Sequence, residues 1–474
     1  MTRQLKFPID FVWGTATAAY QIEGGADADG RVPSIWDTFS HTAGNVANGD
    51  TGDVACDHYH RSSQDLDLMA TLGIPAYRFS VSWPRVMPSA GTRNAIGLDF
   101  YDQLVDGLLE RDITPLLTLY HWDLPQYLQD SGGWTDRTTV DRFVELAELI
   151  GHRLGDRVST MTTLNEPFCS AFLGYAAGIH APGLTDNAAG LAAAHHLNLA
   201  HGRAVTALRE VLPAGNKLSI TLNLAQVEPA SPSAEDQAAA DHVDDIANKV
   251  FLEPILRGRY PERLIEQTQH ITDWSFVQDG DLAEISAPID VLGINYYSPA
   301  RIAATDADRI DAQRRWVNDP TQAADGASLW PGTDLAMSVP QPGPYTAMGW
   351  RIAPEGLTRL LLDVHESYPD VPLVVTENGC AYDDEVDDDG RVRDPDRVAY
   401  LRSHVAAVHD AIAAGADVRG YYLWSFMDNF EWAWGYSQRF GIVHVDYDTL
   451  VRTPKESAIW FRDVIKNNAV DTAP

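Results

Sequence analysis

The chain alternates eight times between a short apolar run of strand character and a longer segment of helical character. The strand-like runs fall at residues 11–20, 76–83, 114–120, 158–164, 217–226, 290–296, 372–376 and 418–425. The helix-like segments follow at 64–72, 97–110, 139–154, 188–212, 234–256, 354–367, 396–414 and 455–466. Leu98, Tyr101, Leu104, Val105 and Leu108 recur at helical spacing. Leu373, Val374 and Val375 form a run with no polar break, as expected of a strand covered on both faces. Eight strand–helix pairs predict one parallel sheet closed into a (β/α)8, or TIM, barrel. An open doubly wound sheet is the competing architecture, but no strand leads into a GxGxxG turn. No linker divides the 474 residues, so a single domain over 1–474 is expected. The longest irregular stretch, 301–349, reads as a βα loop over the barrel mouth.

In such a barrel the strands deliver their C-terminal residues to one mouth, and chemistry gathers there. Two strand-like runs end in a glutamate: Met161-Thr162-Thr163-Leu164-Asn165-Glu166-Pro167 and Leu373-Val374-Val375-Thr376-Glu377-Asn378-Gly379. A closed barrel brings the fourth and seventh strand ends to the same opening. A pair of carboxyl groups about 5–5.5 Å apart is the minimal machinery of a retaining glycosidase. Other strand ends carry Gln21, Arg78, His121, Trp122, Asn295, Tyr296 and Tyr297, and the run Trp424 to Trp432 includes Glu431. Indoles beside amides and carboxylates suit a pyranose ring, whose C–H face stacks while its hydroxyls pair.

A net charge of −32 argues against nucleic acid or an anionic membrane surface as partner. No apolar stretch is long enough for a membrane span, and the first residues lack a signal-peptide core, so a cytoplasmic protein is expected. Cys56, Cys169 and Cys380 make neither a disulfide framework nor a zinc motif. His195, His196 and His201 share a helix without a third carboxylate ligand and read as packing groups. The acidic run 385–390 lacks the closing glutamate of a calcium loop and reads as a solvated turn. Trp13, Trp36 and Trp460 carry no case for ligand contact. No metal and no cofactor are expected.

The motifs Thr163-Leu164-Asn165-Glu166-Pro167 and Thr376-Glu377-Asn378-Gly379, with the segment from Phe11 to Gly24, resemble glycoside hydrolase family 1, the β-glucosidase type. The resemblance runs over essentially the whole chain. It implies that Glu377 attacks the anomeric carbon and that Glu166 is the acid and then the base. It places Arg78, Asn295 and Tyr297 around Glu377. It gives Gln21, His121, Asn165, Glu431 and Trp432 to the sugar hydroxyls, with Trp122 at the same strand end, and Trp424 to the stacking floor. Trp350 becomes a wall of the leaving-group side, with Cys169, Leu173 and His180 at its entrance. Cys169, with no adjacent histidine, reads as a small apolar wall rather than a nucleophile.

The resemblance implies a small β-glucoside substrate: cellobiose, short β-glucosides or aryl glucosides. A homo-oligomer stays open. A 6-phospho-β-glycosidase is disfavoured, since Glu431 stands where that branch has Ser, and Gln438 and Phe440 stand where it has Lys and Tyr. Noncatalytic sugar-binding relatives usually lack one of the two glutamates. Transglycosylation uses the same intermediate and stays open, as do the galactose and fucose epimers at the inner site. Phe168 departs from the Trp of many relatives beside the acid/base, leaving the aglycone preference open.

Overall fold

The computed structural model describes residues 4–305, 329–333 and 335–472. Eight parallel strands close into a barrel: β1 (Val12–Ala16), β2 (Ala76–Ser80), β3 (Thr114–Tyr120), β4 (Thr160–Asn165), β5 (Lys217–Asn223), β6 (Val291–Asn295), β7 (Leu373–Asn378) and β8 (Val418–Trp424). Each pairs with its neighbours in chain order, and β8 pairs with β1. The principal outer helices are α1 (His58–Thr71), α2 (Ala95–Leu109), α3 (Thr138–Leu154), α4 (Asn187–Val211), α5 (Ala234–Asp244), α6 (Pro354–Ser367), α7 (Pro395–Ala413) and α8 (Glu456–Asn467). This is the TIM-barrel architecture expected from the alternation.

Local chemistry explains several boundaries. The Asp186 side chain accepts from Ala188 and Ala189 N–H and so starts α4. Proline occupies the first turn of α6 and α7, where its missing N–H costs nothing. Gly415, at φ 111°, lets the chain leave α7 through a conformation that side chains rarely adopt. Along α3, Phe143, Leu146, Ala147, Ile150 and Leu154 are buried, a stripe at helical spacing.

The strand registers set the site. Ala16 lies opposite both Arg78 and Trp424, and Asn295 lies opposite both Asn223 and Glu377. Arg78, Asn223, Asn295 and Glu377, polar residues from four strands, therefore reach the C-terminal mouth together with Trp424. The other end is closed by Phe7, Phe11 and Trp13, whose rings meet at 4.7–4.8 Å. Trp13 donates to Asn468 Oδ1 there at 2.9 Å.

Three elements differ from the sequence reading. The first strand ends at Ala16, and Ala19–Ile22 forms a helical turn instead of continuing to residue 20. Thr17 N–H donates to Arg78 O, and Ala19 N–H to Ser80 Oγ, which bends the chain over the mouth. The helix read at 234–256 is broken: a π-helical turn, Asp245–Lys249, separates α5 from the helix Val250–Arg257. Asn248 in that turn pairs with Ala225 N–H and C=O, both at 2.8 Å. Within the 301–349 stretch there is strand structure: Ala300–Ala304 and Ala336–Ser338 join Val227–Pro229 in a three-stranded sheet. Residues 306–328 and 334 of that stretch lie outside the described residues. No helix among the described residues is long and apolar enough to cross a membrane.

Candidate active site

A cavity of about 410 Å³ opens at the C-terminal mouth of the barrel. Glu166 and Glu377 both line it, with Asn295 and Tyr297 between and beside them. Glu377, one residue before the end of β7, accepts from Arg78 Nη1 at 2.5 Å and from Tyr297 OH at 2.8 Å. Arg78 is completely buried, and its second nitrogen, Nη2, donates to Asn165 Oδ1 at 2.6 Å. Asn378 beside it is fixed by donating to Tyr296 O and Tyr400 OH, at 2.7 and 3.0 Å. Gly379 follows because nothing larger fits: a β-carbon there would meet the Trp424 carbonyl oxygen at 1.7 Å. The backbone that carries Glu377 thus packs directly on the backbone that carries Trp424.

Glu166 leaves β4 with φ 46°, a left-handed conformation that costs a non-glycine residue of order 1–3 kcal/mol and recurs at functional positions. Its N–H is tied to Thr221 O at 2.9 Å. Its carboxyl accepts from Asn295 Nδ2 on Oε1 at 2.6 Å and from Cys169 Sγ on Oε2 at 3.2 Å. One expectation is extended here and one changes. Asn295, assigned by resemblance to the surroundings of Glu377, lies opposite it and helps lower its carboxyl, and it also gives hydrogen bonds to Glu166 and to Asn165 Oδ1. Its own carbonyl is held by Thr376 Oγ at 2.7 Å, which turns the amide nitrogen toward Glu166. Cys169, read as an apolar wall, is a hydrogen-bond donor to that same carboxyl.

Burial, then the charge of Glu377, pushes the Glu166 carboxyl up to about 8, against the opposing pull of Asn295, Cys169 and Arg78. Burial also raises Glu377, but Arg78 and Tyr297 act against it by stabilising the anion. Glu431 is pushed up to about 8 by burial and by the two other carboxylates. The arrangement favours one anion, on Glu377, and protons on Glu166 and Glu431. Both raised carboxyls bind protons more tightly folded than unfolded. Their stabilising effect is therefore complete below about pH 4.5 and is lost as pH rises through about 8. Below about pH 6.5 the buried histidines, whose pKa values are lowered by burial, add stability as pH rises, so the carboxyl effect is read above that point: between about pH 6.5 and 8 the melting temperature of the ligand-free protein should fall. Glu431→Gln should flatten the fall, and a parallel decline in wild type and variant would count against the raised carboxyl.

The aromatic wall is continuous. Trp432 meets Trp122 at 4.5 Å, Trp36 at 4.6 Å, and Tyr20 in a stacked pair at 6.1 Å. His121 stacks on Trp424 and Trp432 at about 6 Å. Trp350 packs on Tyr297 at 5.2 Å and on Phe440 at 5.9 Å, so it braces the tyrosine that holds Glu377. Leu173, His180, Cys169 and Phe168 line the outer part.

Not every expected residue lines the cavity. Gln21, Arg78 and Asn165 form a layer beneath it. Gln21 Nε2 donates to Asn429 Oδ1, Phe430 O and Glu431 Oε2, which fixes the Glu431 loop. Its Oε1 has no partner among the described residues. Asn165 Nδ2 pairs with His121 Nε2 at 3.0 Å, and the His121 ring is buried and held neutral. Trp122 donates to Asn165 O at 2.9 Å, so its indole nitrogen is committed to the scaffold. Asn223, Trp330 and Trp434 also line the cavity and were missed. Asn223 ends β5, so the strand-end rule that selects Glu166 would have selected it too.

The histidines of α4 are held by other partners: His195 by Asp281 and Tyr260, His196 by Trp134 O, and His201 by Thr163 Oγ. Asp387 accepts from Asp389 and Arg391 N–H in a closed turn. Among the described residues, no three His, Cys, Asp or Glu side chains are arranged to hold a metal.

The family model described as Glycosyl hydrolase family 1 matches residues 3–470. The bifunctional β-D-glucosidase/β-D-fucosidase of Bifidobacterium breve is 50% identical over 98% of this chain and 99% of its own. β-Glucosidase A of Acetivibrio thermocellus is 46% identical over 98% of this chain and 99% of its own. Among solved structures, a psychrophilic β-glucosidase from Micrococcus antarcticus superposes with TM-score 0.93 at 46% identity over 98% of both chains. A family 1 β-glucosidase from Thermotoga maritima in complex with isofagomine lactam gives TM-score 0.90 at 44% identity over 99% of this chain and all of that one.

Proposed function

The chain belongs to glycosyl hydrolase family 1, and on that premise we propose that Glu377 and Glu166 hydrolyse terminal β-D-glucosides by double displacement. The observation that carries the assignment is the asymmetry between two buried carboxyls in one cavity. Glu377 is held by a guanidinium and a phenol, and Glu166 by an amide and a thiol. Only the first has a cation against it.

In the first step, a Glu377 oxygen bonds to the anomeric carbon as the glycosidic bond breaks, and the Glu166 proton passes to the departing oxygen. Forming the ester removes the charge of Glu377, and with it the second largest cause of the raised Glu166 carboxyl. Glu166, now an anion of lower proton affinity, takes a proton from water as that water attacks the anomeric carbon. Glu377 is released as the anion. Two inversions at one carbon give net retention. The neutral His121 and Glu431, which line the cavity with the Trp424 floor, offer hydroxyl partners, and Gln21 beneath them fixes Glu431. Cellobiose, short glucosides and aryl glucosides fit this one-sugar inner site. The named dual activity of the Bifidobacterium relative supports tolerance for a fucosyl ring as well. The reading extends to a single catalytic domain in a reducing compartment, where Cys56, Cys169 and Cys380 stay free thiols.

Proton NMR of p-nitrophenyl β-glucoside hydrolysis tests the mechanism: β-glucose should appear first and mutarotate later. α-Glucose as the first product would end the double-displacement reading. A nitrophenyl glycoside panel tests the substrate. The expected order places glucoside and fucoside first, and the 6-phosphoglucoside at background.

A further inference from the structure

Glu166 is contacted through both oxygens, and the contact on Oε2 is not explained by sugar binding. Cys169 Sγ lies 3.2 Å from Oε2, one helical turn after Glu166. The sulfur is approached from the other side by Asn223 Nδ2 at 3.6 Å, from the end of β5. A thiol is both a weak donor and a weak acceptor. With Asn223 donating to the sulfur, its acceptor side is occupied, and the S–H is left to point at Oε2.

We propose that Asn223 and Cys169 form a positioning relay for the acid/base: Asn223 orients the thiol, and the thiol holds Oε2 so that a proton on that oxygen faces the cavity. The proposal rests on the assignment of Glu166 as acid/base. Asn295 N–H already occupies Oε1 at 2.6 Å, so the transferable proton belongs on Oε2. If the sulfur accepted from Oε2, that proton would point into the wall. Asn223 removes that alternative. After transfer, the thiol hydrogen bond remains and stabilises the Glu166 anion that must activate water. The thiol itself is not a nucleophile here, since burial and the adjacent Glu166 push it well above its ordinary value.

The other groups that act on Glu166 come from several elements. Glu377 on β7 and Glu431 after β8 oppose its ionisation, and Arg78 on β2 and Asn295 on β6 favour it. His121 after β3 is neutral, and Tyr297 after β6 remains protonated. Among the described residues Cys169 is the hydrogen-bond partner of Oε2, and none of these groups shares that oxygen, so the relay can be tested without moving them.

The test compares Cys169→Ala, Cys169→Ser and Asn223→Ala with wild type across pH. The substrates are methyl β-glucoside, whose leaving group needs a proton, and 2,4-dinitrophenyl β-glucoside, whose leaving group does not. Removing the thiol takes a donor from the carboxylate form, so Glu166 becomes harder to ionise. The basic limb of kcat/KM for the methyl glucoside should move up by about 0.5–1 pH unit in Cys169→Ala, the worth of a weak donor to a charged group. Its neutral-pH kcat/KM should fall about tenfold, with little change for the dinitrophenyl substrate. Asn223→Ala should move the same limb in the same direction by less, and Cys169→Ser, which keeps an oriented O–H donor, should return it to the wild-type position. An unmoved limb in Cys169→Ala, or equal losses on both substrates, would overturn the relay. Glu166→Ala in the same assay separates the two readings. If it fails to discriminate between leaving groups, the acid/base assignment falls; if it discriminates and Cys169→Ala does not, only the relay falls.

Discussion

Glu377→Gly lowers turnover of aryl β-glucosides by about 10⁵–10⁶-fold, the scale on which loss of an essential nucleophile is measured, while the far-UV spectrum stays close to wild type. The side chain is not a packing element of the core. Its burial is costly and is tolerated because Arg78 and Tyr297 hold the charge. Removing it leaves a guanidinium and a phenol facing a small space in which an anion is favoured. Azide should occupy that space and attack the anomeric carbon of a dinitrophenyl glucoside, giving the α-glucosyl azide through a single inversion. Glu166→Ala should instead still form the glycosyl-enzyme from the dinitrophenyl substrate and release the β-glucosyl azide. The opposite configurations assign the two carboxyls independently of rate. Wild-type turnover in Glu377→Gly, or β-azide from it, would exchange or abolish the roles.

The second large effect lies outside the cavity. Lys455, completely buried, donates to Asp384 Oδ2 at 2.6 Å and to Asp428 Oδ1 at 2.7 Å. Arg397 binds Asp384 and Asp394, and Arg439 binds Asp428. Three cations and three carboxylates therefore form one closed network. Asp384 lies on the loop that leaves Glu377, and Asp428 on the loop that brings Glu431, so the network joins the two loops behind the site. Lys455→Met would leave two buried carboxylates short of a partner, at a cost of about 3–5 kcal/mol. Chemical denaturation should report that loss. KM should rise more than kcat falls, since the Glu431 loop loosens while Glu377 keeps Arg78 and Tyr297. Asp428→Asn in the Lys455→Met background should recover part of the stability by removing one uncompensated charge. A midpoint for Lys455→Met within about 0.5 kcal/mol of wild type, the scatter of an ordinary surface change, would mean that the network contributes nothing.

The sequence made the barrel and its two glutamates legible for a specific reason. Strand alternation is a local property, and a closed barrel has only one chemical end. Once Glu166 and Glu377 were seen to end strands four and seven, their meeting followed from topology. Tertiary pairing was less visible. Nothing in the sequence around Asn295 says that Thr376 will take its carbonyl and turn its amide toward Glu166. Cys169 lacks a neighbouring histidine, so it looked inert, although one helical turn places it against the residue three before it. Lys455 meets Asp384 and Asp428 only through folding. The end of the first strand has no local mark, because Ala18, Ala19 and Tyr20 continue its apolar run past Ala16. The turn there is dictated by Ser80 and Arg78, more than fifty residues away in sequence.

The contact between Gly379 and the Trp424 carbonyl separates two kinds of evolutionary freedom. The height of the Glu377 carboxylate above the Trp424 indole is set by main-chain atoms, which substitutions elsewhere do not resize. The outer wall, from Phe168 to His180 and around Trp350, is built from side chains on loops. Descendants of such a chain can exchange aglycones by redrawing that wall, with no need to rediscover how to break the bond.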